Sequence, residues 1–289
     1  MQIGEFKVYL LNLGSFYVDG GAMFGVIPKV IWGRSYTPDE KNRIKIKMKS
    51  LLLISQERKI IIDTGCGNKY PEKIKNYYGF PDSFKLMQSE LEKLNISPEE
   101  ITDVILTHLH FDHCGGNTYF DSNGNIEITF PNAKYYVQKA QLEWAMKPSL
   151  RDKDSYFKDN YLPLIENEKI ILINGDLNFH SNLSLYKVNG HTYGMQLVGI
   201  FDDNNSFLFM SDLIPLVSHI NYSYIMSYDL LPLISLEEKK LFLEECYSKK
   251  VSLILEHDNN DDVVKLGKNE KGYIVEERYT WNEMNEKTN

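Results

Sequence analysis

The chain has 289 residues, of which 43% are hydrophobic and 12% aromatic, and this is the composition of a folded globular protein rather than of a disordered one. Its 32 Lys and Arg against 40 Asp and Glu give a net charge of −8, which argues against a nucleic-acid partner because such proteins present a basic face. No apolar run approaches the roughly 18 residues that a membrane span requires, so no membrane partner is expected.

Cysteine usage and the first residues indicate the compartment. Cys66, Cys114 and Cys246 are too few and too scattered for a disulfide framework, which fits a reducing environment. Residues 1–7 contain no basic segment followed by an apolar one, so no secretory signal is predicted. We therefore expect a cytoplasmic protein. Its oligomeric state is left open, with a homodimer as one option.

Strand patterns dominate the first third of the chain, some alternating between apolar and polar residues and some wholly apolar. They fall at residues 5–13, 44–54 and 59–63. Between the first two strands, residues 20–28 form a Gly-rich apolar segment. One interpretation is a turn with an apolar anchor. The other, which we follow as the prediction, is a loop that covers a cleft with exposed Met23 and Phe24 and contacts an apolar part of a substrate.

Helices and strands alternate through the rest of the chain without a linker, which predicts one domain over residues 1–289. Apolar residues at helical spacing predict a helix at 83–94. The capping box at 97–100 opens a short helical turn before a buried strand at 104–106. The polar residues 282–289 predict a frayed end. Further strands are expected at 134–137, 169–173, 184–188, 196–201, 207–210 and 251–255, and further helices at 139–146 and 236–248.

The most informative segment follows the strand at 104–106 and reads THLHFDH over residues 107–113. Imidazole is a usual zinc ligand, and a neighbouring carboxylate compensates charge. On such a loop His108 and His110 can point one way while Asp112 and His113 point another, so one loop can serve two metals. Ordinary core histidines are the alternative, but burying this cluster without a metal is costly. Cys114 is either a further ligand or a small buried side chain.

This run resembles the HxHxDH motif of the metallo-beta-lactamase superfamily. Four further segments are similar to motifs of that family and occur in the expected order. They are IIDTG at 61–65, NGHT at 189–192, FMSD at 209–212 and ILEH at 254–257. The resemblance implies an α+β fold, a four-layer αββα sandwich with the metals at one edge between its two sheets.

The resemblance also implies a ligand set for two divalent metal ions, with zinc expected and iron or manganese as alternatives. Metal site one would be formed by His108, His110 and His191. Metal site two would be formed by Asp112, His113 and His257. Asp212 would bridge the two sites, and Asp63 would orient ligands through hydrogen bonds.

Such a pair of metals implies hydrolysis of a small-molecule ester or lactone by a metal-bound hydroxide, with Asp112 carrying a proton to the leaving group. Segments 19–25 and 225–230 are similar to the lactonase-like branch, which includes quorum-quenching N-acyl-homoserine lactonases. Some of these have a Tyr three residues after the bridging Asp that assists the leaving alkoxide, but Pro215 occupies that position here. Tyr228 or His219 is predicted to take that role.

Two rival functions use the same ligands. One is hydrolysis of phosphoesters or thioesters, and the other is an iron-binding oxidoreductase of the same fold. An inactive binding module is disfavoured because the full ligand set is present.

Overall fold

The computed structural model describes residues 1–288. The strands are β1 (Gln2–Ile3), β2 (Phe6–Asp19), β3 (Arg43–Ile54), β4 (Lys59–Ile62), β5 (Asp103–Ile105), β6 (Thr118–Phe120), β7 (Ile126–Ile128), β8 (Lys134–Gln138), β9 (Ile170–Ile173), β10 (Leu177–His180), β11 (Leu183–Val188), β12 (Met195–Phe201), β13 (Ser206–Phe209), β14 (Ser252–Ile254), β15 (Val263–Asn269) and β16 (Gly272–Tyr279). The helices are α1 (Gly20–Phe24), α2 (Lys29–Trp32), α3 (Glu72–Tyr78), α4 (Ser83–Lys93), α5 (Phe111–Cys114), α6 (Lys139–Met146), α7 (Leu162–Glu166), α8 (Pro232–Ser248) and α9 (Trp281–Thr288).

Two seven-stranded sheets form the centre of the molecule. The first has the order β1-β2-β3-β4-β5-β8-β9, antiparallel up to β4 and parallel from β4 onward. The second has the order β10-β11-β12-β13-β14-β15-β16, and its one parallel pair among the described strands is β13 with β14. Strands β6 and β7 form a separate hairpin.

The wholly apolar strands of the sequence are buried on both faces. In β3, Leu51 and Leu53 pack in the core between the two sheets, whereas Leu52 packs in the cluster that includes helix α4. In β13, Leu208 belongs to the cluster that includes α8, while its neighbours face the other sheet. Because side chains alternate along a strand, a continuous apolar run requires cover on both faces. The αββα sandwich is confirmed.

Strand β2 is longer than the predicted strand at 5–13. Pairing with β3 continues beyond Leu13, past a register shift between Asn12 and Ser15. Gly14 has a φ of +94°, and its N–H donates to Asn12 Oδ1. The segment is therefore a bulge that bends one strand rather than a turn that ends it.

The sequence analysis missed the strands β1, β6, β7, β10, β15 and β16, and its prediction for the last residues was wrong. Residues 282–288 belong to α9, because Trp281 and Met284 are buried and hold the helix on the core between the sheets. Asn289 lies outside the described residues. None of the helices in residues 1–288 combines the length and the apolar composition needed to cross a bilayer.

Candidate metal centre

The structure brings all seven predicted metal ligands together where strands β5, β11, β13 and β14 end. The segment after β5 contributes the His-rich loop and α5, and the three other strands contribute one ligand each. The side chains are those of His108, His110, Asp112, His113, His191, Asp212 and His257. Strands from both sheets thus fix the directions of the donor atoms.

Site one is a compact group of three imidazoles. His110 Nδ1 lies 3.1 Å from His108 Nε2 and 3.1 Å from His191 Nε2. Asp212 Oδ2 lies 3.1 Å from His191 Nε2 and 3.8 Å from His108 Nε2. Four donor atoms therefore surround one point.

Site two contains two imidazoles and a carboxylate. His113 Nε2 and His257 Nε2 are 3.2 Å apart, and Asp112 Oδ2 lies 3.8 Å from the first and 3.9 Å from the second. Asp212 also reaches this group, since its Oδ1 lies 3.1 Å from His257 Nε2 and its Oδ2 lies 3.6 Å from His113 Nε2. The Asp212 carboxylate thus lies between the two sites.

Four of the histidine rings form hydrogen bonds through Nδ1 to oxygen atoms outside the candidate metal centre. His108 Nδ1 lies 3.1 Å from Thr107 Oγ1, and His191 Nδ1 lies 2.8 Å from Asp229 Oδ1. His113 Nδ1 lies 3.0 Å from Asp63 Oδ2, and His257 Nδ1 lies 2.6 Å from the Lys47 carbonyl oxygen. These oxygens accept an N–H, so the network assigns the hydrogen to Nδ1 and turns Nε2 inward.

The residues fit a pair of cations. Bare Nε2 atoms 3.2 Å apart would repel through their lone pairs, and protonated ones would direct two hydrogens at each other. Asp212 Oδ1 is buried and has no hydrogen-bond partner among residues 1–288. Two divalent ions would satisfy these atoms together, and a set of imidazoles and carboxylates suits zinc.

The pKa shifts follow from burial and from the carboxylate at the centre. Burial and neighbouring imidazoles lower the pKa of His108 well below its usual value. Burial alone would raise the pKa of Asp212, but the surrounding rings hold it well below the usual range. Burial opposes protonation of His191, yet Asp212 and Asp229 raise its pKa to about 9. The centre therefore favours positive charge beside Asp212, carried by a proton or by a metal.

Asp63 hydrogen-bonds to the ring of a predicted ligand, the contact that its expected orienting role requires. It is fully buried and has a φ of +57°, which is uncommon for a residue other than glycine. Its Oδ1 accepts the backbone N–H of Thr107 at 2.8 Å, and its Oδ2 accepts the Thr107 hydroxyl at 2.6 Å as well as His113 Nδ1. One carboxylate thus ties the first residue of the His-rich run to a ring of site two.

The sequence analysis missed two carboxylates that contact the ligands. Glu256 Oε1 lies 3.2 Å from His113 Nδ1, and burial raises the pKa of Glu256 to about 7. Asp229 contacts His191 but is 38 residues away in the chain. The sequence offers one signal for each. Glu256 directly precedes His257 at the end of a buried segment, and Asp229 directly follows Tyr228.

A cavity of about 320 Å³ adjoins the centre. Its wall includes four of the predicted ligands, His110, Asp112, His191 and Asp212, so the donor groups of both sites face the same space. One part of the wall is apolar and aromatic and another carries polar and charged groups. The other lining residues are Phe16, Val18, Tyr78, Phe111, Arg151, Asp152, Ser155, Ser227 and Tyr228.

The two candidate proton donors differ in position. Tyr228 lines the cavity and is 39% exposed. Desolvation of its phenol by the surrounding protein raises its pKa. His219 is buried and does not belong to the cavity wall: its Nε2 bonds to the Met23 carbonyl at 3.0 Å. Burial lowers the pKa of His219 to about 3. The prediction of a catalytic role for His219 is therefore corrected, because the ring holds α1 and does not reach the cavity.

The prediction that Met23 and Phe24 are exposed over the cleft was also wrong. Residues 20–24 form helix α1, capped by Asp19, whose Oδ1 accepts the Ala22 N–H at 2.8 Å. Met23 is 2% exposed and Phe24 is fully buried, stacked on Trp32. The apolar anchor, which was the alternative interpretation, describes the segment. Cys114 is likewise a small buried side chain whose thiol pKa burial raises to about 12.

The sequence profile of the metallo-beta-lactamase superfamily matches residues 49–245, which is more than half of the chain and includes six of the seven predicted ligands. This chain belongs to the metallo-beta-lactamase superfamily. The predicted family is thereby confirmed.

Several relatives within this superfamily are known. An N-acyl homoserine lactonase from Bacillus sp is 32% identical over 158 residues, which are 50% of this chain and 54% of that protein. One from Bacillus cereus is 27% identical over 59% of this chain and 64% of that protein. The chain thus matches about half to just under two thirds of these relatives' length.

Solved structures match over nearly the whole chain. A probable metal-dependent hydrolase from Staphylococcus aureus is 29% identical, with a TM-score of 0.83 over 97% of this chain and 100% of that one. AidC, a dizinc quorum-quenching lactonase solved with the product N-hexanoyl-L-homoserine, is 21% identical, with a TM-score of 0.76 over 98% and 97%. The fold of this chain is therefore that of known metallo-beta-lactamase superfamily members.

Proposed function

We propose that this chain is a dinuclear metal-dependent hydrolase that opens the ring of N-acyl-homoserine lactones. The observation that carries the proposal is the position of two donor groups, which share Asp212, at the wall of one cavity of about 320 Å³. The curated relatives named N-acyl homoserine lactonase support the choice of substrate. Zinc is the proposed metal because of the donor set.

When bound, two divalent cations would supply hydroxide at neutral pH and polarise the substrate carbonyl. The chain's own residues then have to handle the proton. Asp112 lines the cavity, and burial raises the pKa of its carboxyl. A carboxyl with a raised pKa accepts a proton more readily near neutrality and can pass it to the leaving alkoxide. Asp112 is therefore the proposed proton carrier.

Tyr228 is the proposed hydrogen-bond donor to the leaving oxygen. It lies on the cavity wall, whereas Pro215 occupies the position at which some lactonases have their tyrosine. Its raised pKa keeps the phenol protonated at neutral pH, so the hydroxyl can donate. With His219 excluded by its position, Tyr228 is the remaining candidate of the two.

The apolar part of the wall fits an acyl group. Phe16, Val18, Tyr78 and Phe111 line the cavity beside the donor groups. Burial of an alkyl chain against such side chains contributes binding energy and displaces water from the reacting carbonyl.

Phosphoester hydrolysis is the second candidate, and one residue favours it. Arg151 lines the same cavity, and its guanidinium donates to the backbone oxygens of Ser227 and Asp229. A guanidinium has five N–H donors and pairs well with phosphate oxygens. An anionic substrate would therefore find a cation at this wall.

A substrate panel separates these functions. The purified protein would be assayed with N-acyl-homoserine lactones of several chain lengths, a phosphomonoester, a phosphodiester and a thioester, with ring opening followed as acid release in a pH-indicator assay. We expect the lactones to give the highest kcat/KM, with KM falling as the acyl chain lengthens because more apolar surface is buried.

Metal analysis of the same preparation accompanies the panel, since it separates zinc from iron. Arg151→Gln serves as the control for the second candidate, because it removes the cation but no predicted ligand. Higher kcat/KM for a phosphoester than for every lactone, lost in Arg151→Gln, would replace the lactonase proposal with the phosphoester one.

A further inference from the structure

Glu238 and Lys239 are adjacent charged residues of helix α8 that lie in the protein interior or partly in it. Neither has a role in the proposed chemistry. The two carboxylate oxygens of Glu238 accept consecutive backbone N–H groups, those of Asn189 at 2.7 Å and Gly190 at 2.9 Å. These residues directly precede His191, a ligand of site one. Glu238 therefore holds the backbone of the loop that presents this ring.

Lys239 is 1% exposed, and none of the ion pairs among residues 1–288 involves it. Its ammonium donates to the Tyr224 carbonyl at 2.5 Å and to the Asn221 carbonyl at 3.4 Å. Burying a lysine without a direct ion pair costs free energy, so its retention needs a reason. The nearby Asp229 carboxylate offsets part of that cost. The segment that it holds leads within a few residues to Tyr228 and Asp229.

The segment that Glu238 holds, at residues 189–191, also forms hydrogen bonds with the end of the segment that Lys239 holds, at residues 230–231. The N–H of Leu230 donates to the His191 carbonyl at 3.0 Å, and the N–H of Leu231 donates to the Gly190 carbonyl at 2.9 Å. Asp229 meets the His191 ring at 2.8 Å. Gly190 permits the close approach to α8, since a Cβ there would lie 2.3 Å from the backbone nitrogen of Ser235.

We propose that Glu238 and Lys239 are positioning residues that keep His191 and its partner Asp229 in register, and that they thereby set the metal affinity of site one. The inference rests on the proposed metal-dependent function. Residues that orient ligands through hydrogen bonds commonly change metal affinity 10- to 100-fold when replaced. Site two receives no contact from either residue among the hydrogen bonds of residues 1–288, so the effect should be confined to site one.

The test uses Co(II) as a probe, added to the metal-free full chain and followed by its visible absorption while a chelator competes. In Glu238→Gln, only one amide oxygen remains for two N–H donors. In Lys239→Met, the stem remains but the donors are lost. We expect each variant to bind one of its two Co(II) ions about 10- to 100-fold more weakly. The spectrum that remains should match that of His110→Ala, which lacks a site-one ligand.

The same helix offers matched controls. Glu237 and Lys240 flank the inner pair and form an exposed ion pair with each other at 2.8 Å. Glu237→Gln and Lys240→Met should bind both ions as the unaltered chain does. Unchanged Co(II) binding in both inner variants, or equal weakening at both sites, would overturn the inference. Failure of the unaltered chain to bind two ions would instead overturn the proposed function.

Discussion

The Asp212 carboxylate contacts rings of both sites, with Oδ2 at 3.1 Å from His191 Nε2 and Oδ1 at 3.1 Å from His257 Nε2. Two cations at the spacing of other two-metal sites, roughly 3.5–4 Å, repel each other strongly. An anion between them offsets that repulsion. The position of Asp212 between the two sites therefore predicts a role in binding the second metal, in addition to any effect on catalysis.

For this reason Asp212→Ala should lower the metal content from about two ions per chain to about one, with loss of activity. The measurement is mass spectrometry of metals in the purified variant. His219→Gln is the control, because His219 bonds to Met23 and contacts no ligand through its ring nitrogen Nε2. It should keep both metals. Two tightly bound ions in Asp212→Ala would contradict the bridging role.

The sequence predicted the residues of the centre better than their surroundings. The seven predicted donors stand in short motifs that resemble those of the superfamily, so each could be named from that resemblance. The contact between Asp229 and His191 depends on how the segment after β13 returns to β11, and no local pattern encodes that return. The same holds for His219, whose place under α1 is set by packing.

At the scale of elements, α1 shows how a Gly-rich apolar segment can be interpreted in two ways. Its side chains pack inward, where Phe24 meets Trp32, Tyr36 and the ring of His219. Its exposed apolar residue is Val26 just beyond the helix, at 89% exposure. The segment is therefore held by its core contacts, and its Ala22 carbonyl accepts the N–H of Ser227, a residue of the cavity wall, at 2.8 Å.

Accordingly, Phe24→Ala should lower the free energy of unfolding by about 3–5 kcal/mol, the usual cost of removing a buried aromatic side chain. Urea denaturation measures this. Val26→Ala, in the same segment, is the matched control and should change stability by less than about 0.5 kcal/mol. If Phe24→Ala unfolds at the same urea concentration as the unaltered chain but raises KM for lactones, the side chain lies in the cavity after all.

Elements with a strong apolar periodicity were predicted from the sequence. Strands whose extent depends on hydrogen bonding to a neighbouring strand were not. Helix α4 and strands β3 and β4 follow their apolar patterns closely. Strand β2 continues across a bulge because β3 offers partners on both sides of Gly14. Strands β15 and β16 are polar on one face and pair mainly with each other, so their sequence alone gives a weak signal.

At the scale of the molecule, the sandwich explains why ligands distant in sequence meet. The two sheets share one core, and strand ends from both reach the same edge. Lys49 contributes to this junction: its buried ammonium pairs with Asp262 at 2.8 Å and donates to the Leu255 carbonyl at 3.0 Å, next to the segment of His257. The single domain over 1–289, the cytoplasmic location and a homodimer stay predictions.

The central claim is that two metals per chain open a lactone ring at this edge. The most direct measurement is the rate of N-acyl-homoserine lactone opening while Zn(II) is added back to metal-free protein. We predict no activity without metal and a rise that reaches its plateau at about two equivalents. Ring opening by the metal-free chain, or a plateau at one equivalent, would contradict the account.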